Sequence, residues 1–262
     1  MDTMLELKNV CKTFNPGTVN EKKALTGLNL SLKHGDFATI VGSNGAGKST
    51  MFNAITGSFF TDEGAIILNG EDITFKKEHF RSKDIGHLFQ DPLLGTAPHM
   101  TIEENMALAY LRASTAKTAF FSRISKKEKQ KFREHLSLLG MGLEDRMKNP
   151  VGLLSGGQRQ AMALLMTTMA PIEILILDEH TAALDPKTAE LIMELTGKVV
   201  KEKKLTTIMV THNLRYAVEY GNRILMMHQG HAVLDKAGEE KAKLVVDDLL
   251  DQFNQISIEC GN

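Results

Sequence analysis

The stretch Gly42-Ser43-Asn44-Gly45-Ala46-Gly47-Lys48-Ser49-Thr50 decides how this chain is read. Its glycines let the backbone curl until successive N–H groups point inward, a shape that cradles phosphate oxygens. The preceding Phe37-Ala38-Thr39-Ile40-Val41 is apolar and β-prone, as a buried strand is. Ser49 to Ile55 then shows helical spacing, so the order is strand, loop, helix. In such a loop Lys48 reaches the β- and γ-phosphates of a nucleotide, and the Ser49 hydroxyl ligates Mg²⁺.

Working outward, Ile174-Leu175-Ile176-Leu177 reads as a strand buried on both faces. It ends in Asp178-Glu179, at the carboxyl end where open α/β sheets place their ligands. Asp178 is positioned to hold Mg²⁺ through water, and Glu179 to orient or deprotonate an attacking water. A second glycine-rich turn, Leu154-Ser155-Gly156-Gly157-Gln158, opens a helix. It offers backbone amides, the Ser155 hydroxyl and a helix N-terminus to a phosphate.

The rest of the pattern surrounds these pieces. Leu5 to Val10, Ala24 to Leu32 and Gly64 to Leu68 read as short strands, separated by turns such as Asn15-Pro16-Gly17 and Asn69-Gly70. From about Pro92 to Leu154 the pattern is helical, including Thr101 to Leu111 and Ser125 to Leu139. From Ile172 strands and helices alternate, with a helix from Pro186 to Lys203, a strand from Thr206 to Val210 and a helix from Asn213 to Tyr220. The expected fold class is α/β: a phosphate-loop NTPase core with a parallel sheet, a flanking small antiparallel β subdomain and an inserted helical subdomain. In residues, the core takes 1–90 and 160–262, and the insert about 91–159, within one domain spanning 1–262. The tail from Ala242 to Phe253 has apolar residues at helical spacing and is expected to pack back on the core.

Composition sets bounds on function. The chain has 262 residues, 42% of them hydrophobic, and a net charge of −1 spread along its length. That balance argues against general nucleic-acid affinity, and no nucleic-acid partner is expected. Two cysteines, Cys11 and Cys260, make no disulfide framework, and no Cys/His cluster has metal-site spacing. The first residues lack a signal-peptide pattern, and no apolar run nears the roughly 18 to 20 residues of a membrane span. A protein soluble by itself and intracellular is the expectation. The mixed charges of Lys126 to Arg133 suit a solvated helix face, and Met162, Met166 and Met169 suit core filling.

Together the motifs resemble the ATP-binding cassette (ABC) ATPases, over nearly the whole chain. Leu154-Ser155-Gly156-Gly157-Gln158 is similar to that family's signature sequence without a substitution. Gln90, in Leu88-Phe89-Gln90-Asp91-Pro92, resembles the Q-loop glutamine, which senses the γ-phosphate and metal. Asp185, in Ala183-Leu184-Asp185, resembles the D-loop aspartate that communicates across a dimer. His212, in Thr211-His212, resembles the switch histidine on the γ-phosphate, and Phe14 the aromatic that stacks on adenine. One departure is plain: relatives usually carry proline after the glutamate, whereas this chain has His180, a residue able to titrate near neutral pH. It reads as a tolerated turn residue.

The resemblance implies hydrolysis of ATP to ADP and phosphate, with Mg²⁺, in a face-to-face dimer of two copies. Each phosphate loop would face the partner's Ser155, Gly156, Gly157 and Gln158. It implies work done through separate transmembrane permease subunits at the inner face of the membrane. The segment from Gly95 to Asn105 looks like importer ATPases of the small-solute kind, amino acids included, which work with an extracytoplasmic solute-binding protein. Two alternatives stay open on sequence: a soluble cassette ATPase uncoupled from transport, and an export or lipoprotein-release ATPase.

Overall fold

The computed structural model describes residues 3–113 and 124–259; Cys260 lies outside them. In chain order the elements are β1 (Thr3–Phe14), β2 (Lys22–Lys33), β3 (Phe37–Gly42), α1 (Lys48–Thr56), β4 (Glu63–Leu68), β5 (Glu71–Asp72), α2 (Glu78–Arg81) and β6 (Ile85–Leu88). Then come α3 (Ile102–Ala113), α4 (Lys126–Ser137), α5 (Gly156–Thr167), β7 (Ile174–Asp178), α6 (Pro186–Lys203) and β8 (Thr206–Val210). The chain closes with α7 (Leu214–Glu219), β9 (Arg223–His228), β10 (His231–Ala237), α8 (Gly238–Ala242) and α9 (Val246–Glu259). The residues group into two compact units, Met1–Ile85 with Lys204–Asn262, and Gly86–Lys203. The second unit is wider than a helical insert at 91–159, because it also takes in β7 and α6.

The first unit holds an antiparallel sheet in the order β2-β1-β4-β5. Leu5, Leu7 and Val10 of β1 and Leu28, Leu30 and Leu32 of β2 supply its buried face. Asn69 and Gly70, both at positive φ (48° and 80°), close the β4–β5 hairpin as an Asn-Gly pair does. Strand β3 is buried along its whole length and pairs in parallel with β8 and with β9. Strand β10 returns antiparallel to β9. This last hairpin is missing from the sequence-based expectation: Ile224-Leu225-Met226-Met227 is a short apolar run without periodicity, equally readable as helix. Helix α9 seats Leu249, with Leu244 and Phe253 beside it, on a cluster of Val41, Ala217, Ile224 and Met226. A leucine as fully buried as Leu249 contributes about 1.5–3 kcal/mol.

In the second unit, helices α3 to α6 share one core. Ile102, Met106, Phe132, Leu136, Met162 and Ile192 all lie within it. Ser125 opens α4 with a capping box, its hydroxyl accepting from Glu128 N while the Glu128 carboxylate accepts from Ser125 N. Among the described residues no helix is long and apolar enough to cross a membrane.

Candidate functional site

In the first unit β3 delivers the chain into the phosphate loop and α1 leaves it. Gly47 occupies the cap position of α1 at φ 103°, with no side chain capping the helix. A helix N-terminus that no side chain caps is the arrangement that suits an anion. Lys48 is buried, 6% exposed, and its ammonium donates to Gly42 O (2.7 Å) and Ser43 O (3.1 Å). Lys48 thus also holds the curl of the loop. Ala46 N donates to Ser43 O at 3.2 Å to tighten the turn. Ser43, Asn44, Gly45 and Ser49 are exposed, and Thr50 is half-buried.

Phe14 ends β1 and meets Phe59 edge-on, with ring centroids 5.4 Å apart. The Lys12 ammonium lies 5.8 Å from the Phe14 ring and 5.3 Å from that of Phe59. It is held there by Asp62 at 2.7 Å and Phe60 O at 2.9 Å. Hydrogen bonds from Lys12 and then from Thr13 N hold the Asp62 carboxyl below the usual carboxylate range. Lys22 faces Phe14 across the β1–β2 ladder. Its ammonium sits 3.9 Å from where a Cβ on Gly45 would lie, so the Phe14 end of the ladder borders the phosphate loop. His212 is exposed at the end of β8. Its neighbours fix it: Thr211 N donates to Ile40 O (3.2 Å), and the Thr211 hydroxyl accepts from Asn213 N (3.0 Å).

The second unit carries the other candidates. Gln90 is exposed just beyond β6, which lies beside β7. The fully buried Gln160 of α5 donates through Nε2 to Phe89 O at 3.3 Å, and so steadies the backbone before Gln90. The buried Asn105 steadies the backbone after it, accepting from Ala97 N (2.8 Å) and donating to Ala97 O (3.0 Å).

At the Ser155 turn a capping box closes: the Ser155 hydroxyl accepts from Gln158 N, and the Gln158 side chain accepts from Ser155 N, both at 3.2 Å. Gln158 is thereby committed to the turn, whereas the Ser155 O–H keeps its proton to donate. Ser155 and Gly156 are exposed. Gly157 is buried; a Cβ there would lie 2.1 Å from Thr188 Cγ2, so only glycine lets α5 approach α6 this closely. Arg159 braces the turn from behind, donating to Gly152 O and Leu154 O, each at 3.1 Å.

Asp178 and Glu179 sit half-buried at the end of β7. Glu179 has φ 45°, a left-handed backbone uncommon for a residue with a side chain. Asp185 caps α6, accepting from Thr188 N at 3.1 Å; hydrogen bonding from the Thr188 side chain, and then from its backbone N–H, lowers the carboxyl pKa. Pro186 follows at the first helical position. His180 stands in the turn directly after Glu179. It is 2% exposed, and burial pushes its pKa down to about 4.

Lys22, Gln160 and Arg159 are the functional candidates that sequence reasoning missed. None belongs to a motif; each is found only through its partners. In the first unit Ser49 exposes a hydroxyl, and in the second Asp178 keeps a half-buried carboxylate; each by itself is the kind of oxygen that Mg²⁺ takes beside phosphates and water. Among the described residues no cluster of three His, Cys, Asp or Glu side chains could hold a metal ion.

Comparison with known proteins gives the chain its family. Residues 25–182 match the family described as ABC transporter. A tyrosine transport ATP-binding protein of Clostridioides difficile (strain R20291) is 41% identical over 255 residues, covering 95% of this chain and 98% of the relative. A phosphonates import ATP-binding protein of Lactobacillus delbrueckii subsp. bulgaricus is 31% identical, with 94% of each chain covered. Among solved structures, the dimeric post-hydrolysis state of the ATP-binding cassette MJ0796 with ADP and Pi is 30% identical. It superposes with a TM-score of 0.74 and covers 89% of this chain and 98% of that one.

Proposed function

The chain belongs to the ABC transporter ATPase family, and on that premise we propose that it powers import of a small solute through permease subunits that are separate polypeptides. It is the ATP-binding and ATP-hydrolysing subunit of such a transporter. What supports the import reading is the likeness, along almost the whole of both chains, to a protein named for phosphonates import, alongside the likeness to one named for tyrosine transport. That name favours an amino acid as the cargo. Partners in this reading are a second copy of the chain, the permease at the inner membrane face, and an extracytoplasmic solute-binding protein.

Each site residue has a role in the proposed reaction. Phe14 stacks on adenine. The backbone from Gly42 to Gly47, with Lys48 and Thr50, holds the phosphates, and Ser49, Asp178 and Gln90 hold Mg²⁺. When bound, magnesium supplies positive charge that neutralises the β- and γ-phosphate oxygens. Glu179 orients a water and accepts its proton as the water oxygen bonds to the γ-phosphorus and the bridging P–O bond to ADP breaks. His212 contacts the γ-phosphate. Ser155, Gly156 and Gly157 of the second copy close over it, shaped by Gln158, and Asp185 signals between the copies. Catalysis of this kind is mostly positioning and electrostatics.

Reconstitution tests the reading. The chain and the permease encoded beside it are co-purified into vesicles with the solute-binding protein. ATP-driven uptake of labelled tyrosine, and crosslinks from the 90–100 segment to the permease, are the expected results. ATP turnover indifferent to permease and solute, with crosslinks confined to other soluble partners, would favour the uncoupled alternative.

A further inference from the structure

We propose that His180 is a positioning residue: through Thr196 on α6 it fixes the backbone that carries Glu179. The proposal rests on the reading of Glu179 as the group that orients the attacking water.

Glu179 stands between two anchors. Before it, Ile174 to Leu177 are wholly buried in β7. After it, the chain turns at once, with Ala182 N donating to Glu179 O at 2.9 Å. Its left-handed φ is a conformation that persists only where the surroundings impose it. One side chain placed to help impose it is that of His180, the residue directly after Glu179.

The imidazole of His180 points inward and meets α6, with Nε2 3.2 Å from the Thr196 hydroxyl oxygen. That hydroxyl has one proton, and it is engaged: Thr196 Oγ1 donates to Ile192 O at 2.7 Å, one turn back along α6. Towards His180 it can therefore only accept. His180 must carry its proton on Nε2, and the chain of donors runs from His180 to Thr196 to the Ile192 carbonyl. Thr196 is fully buried and Ile192 lies in the shared core of the second unit, so the anchor is rigid.

Stability alone does not ask for this pair. Replacing both partners of a buried hydrogen bond by apolar groups of similar shape is often close to neutral. What two apolar side chains cannot reproduce is direction. A directed bond sets where the His180 Cα, and with it the Glu179 carboxylate, stands relative to α6. A displacement of about 1 Å in a reacting group can cost as much as about a hundredfold in rate.

The experiment is steady-state ATP hydrolysis by the full chain, with Glu179→Gln as reference. His180→Gln keeps an N–H at the reach of Nε2, and Thr196→Ser keeps the hydroxyl; both should hold kcat near the parental value. His180→Leu, Thr196→Val and the double variant should each lower kcat about tenfold, the double no further than either single. KM for ATP and the affinity for a fluorescent ATP analogue should stay unchanged. A parental kcat in the double variant, with Glu179→Gln inactive, would overturn the positioning role alone. Parallel loss of kcat, nucleotide affinity and melting temperature would reduce the pair to a structural one. An active Glu179→Gln would instead overturn the reading beneath it.

Discussion

Arg81 gives a stability prediction that can be worked from its contacts. It is 2% exposed, in the first unit, and its guanidinium donates to four backbone carbonyls. Two of these, Ala54 O at 2.6 Å and Ile55 O at 2.8 Å, belong to the last turn of α1, the helix that begins in the phosphate loop. The others are Lys76 O (2.8 Å) and Thr74 O (2.9 Å). Arg81→Met keeps the apolar stem and removes every donor. Four bonds at about 1 kcal/mol net each come to about 4 kcal/mol. Relief from burying the cation offsets part of this, leaving a loss of about 2 to 3 kcal/mol. Gly57 supplies the control: it has φ 87°, and a Cβ there would lie 2.8 Å from Arg81 Nε. Gly57→Ala in the parent incurs the left-handed penalty, about 1–2 kcal/mol, and also displaces Arg81. In the Arg81→Met background only the first cost remains. Urea unfolding followed by circular dichroism reads all four proteins. A loss under about 1 kcal/mol for Arg81→Met, or strictly additive effects, would refute the reasoning.

Three further outcomes are expected. Lys48→Ala should abolish ATP hydrolysis and sharply weaken nucleotide binding while the far-ultraviolet circular dichroism stays native, because both of its loop bonds lie within the loop; near-normal turnover would remove the site assignment. Gly157→Ala should lower ATP turnover with little effect on nucleotide affinity, because its Cβ collides with Thr188 in the turn offered to the second copy; parental turnover counts against that role. Burial pushes the His87 imidazole from 6.5 down to about 4, so folding favours its neutral form and the unfolded chain binds more protons between those values. Its contribution is whole above about pH 6.5 and falls away towards pH 4, by about 3 kcal/mol at most. His87→Phe should therefore flatten the loss of stability between about pH 7 and about pH 5 in urea titrations, and an unchanged slope would contradict it.

What the sequence made legible were features with local causes. The phosphate loop, the Asn69-Gly70 turn, the serine caps of α4 and α5 and Pro186 at the start of α6 are each specified within a few residues. The β9–β10 hairpin was hidden because its buried strand has no alternation, and its Gln229-Gly230 turn, both residues at positive φ, is a weaker signal than Asn-Gly. Arg81, Gln160 and Lys22 were invisible for another reason. Their roles come from partners 27, 71 and 23 positions away, as with Ala54, Phe89 and Gly45, and periodicity carries no such information. His180 was noticed by its departure from proline, but its burial and its bond to Thr196 arise only in the packed second unit.

The central claim is that two copies of this chain enclose ATP and that Glu179 drives its hydrolysis. Light scattering of Glu179→Gln, with and without ATP, tests it most directly. Glutamine keeps the size of the side chain, removes the charge that activates water, and relieves repulsion against the γ-phosphate. Hydrolysis should fall by roughly 10² or more. The variant should pass from the 29.0 kDa of one chain to twice that mass when ATP is added, and adding Ser155→Arg should return it to a monomer. Parental turnover in Glu179→Gln, or a mass indifferent to both ATP and Ser155→Arg, would contradict the account.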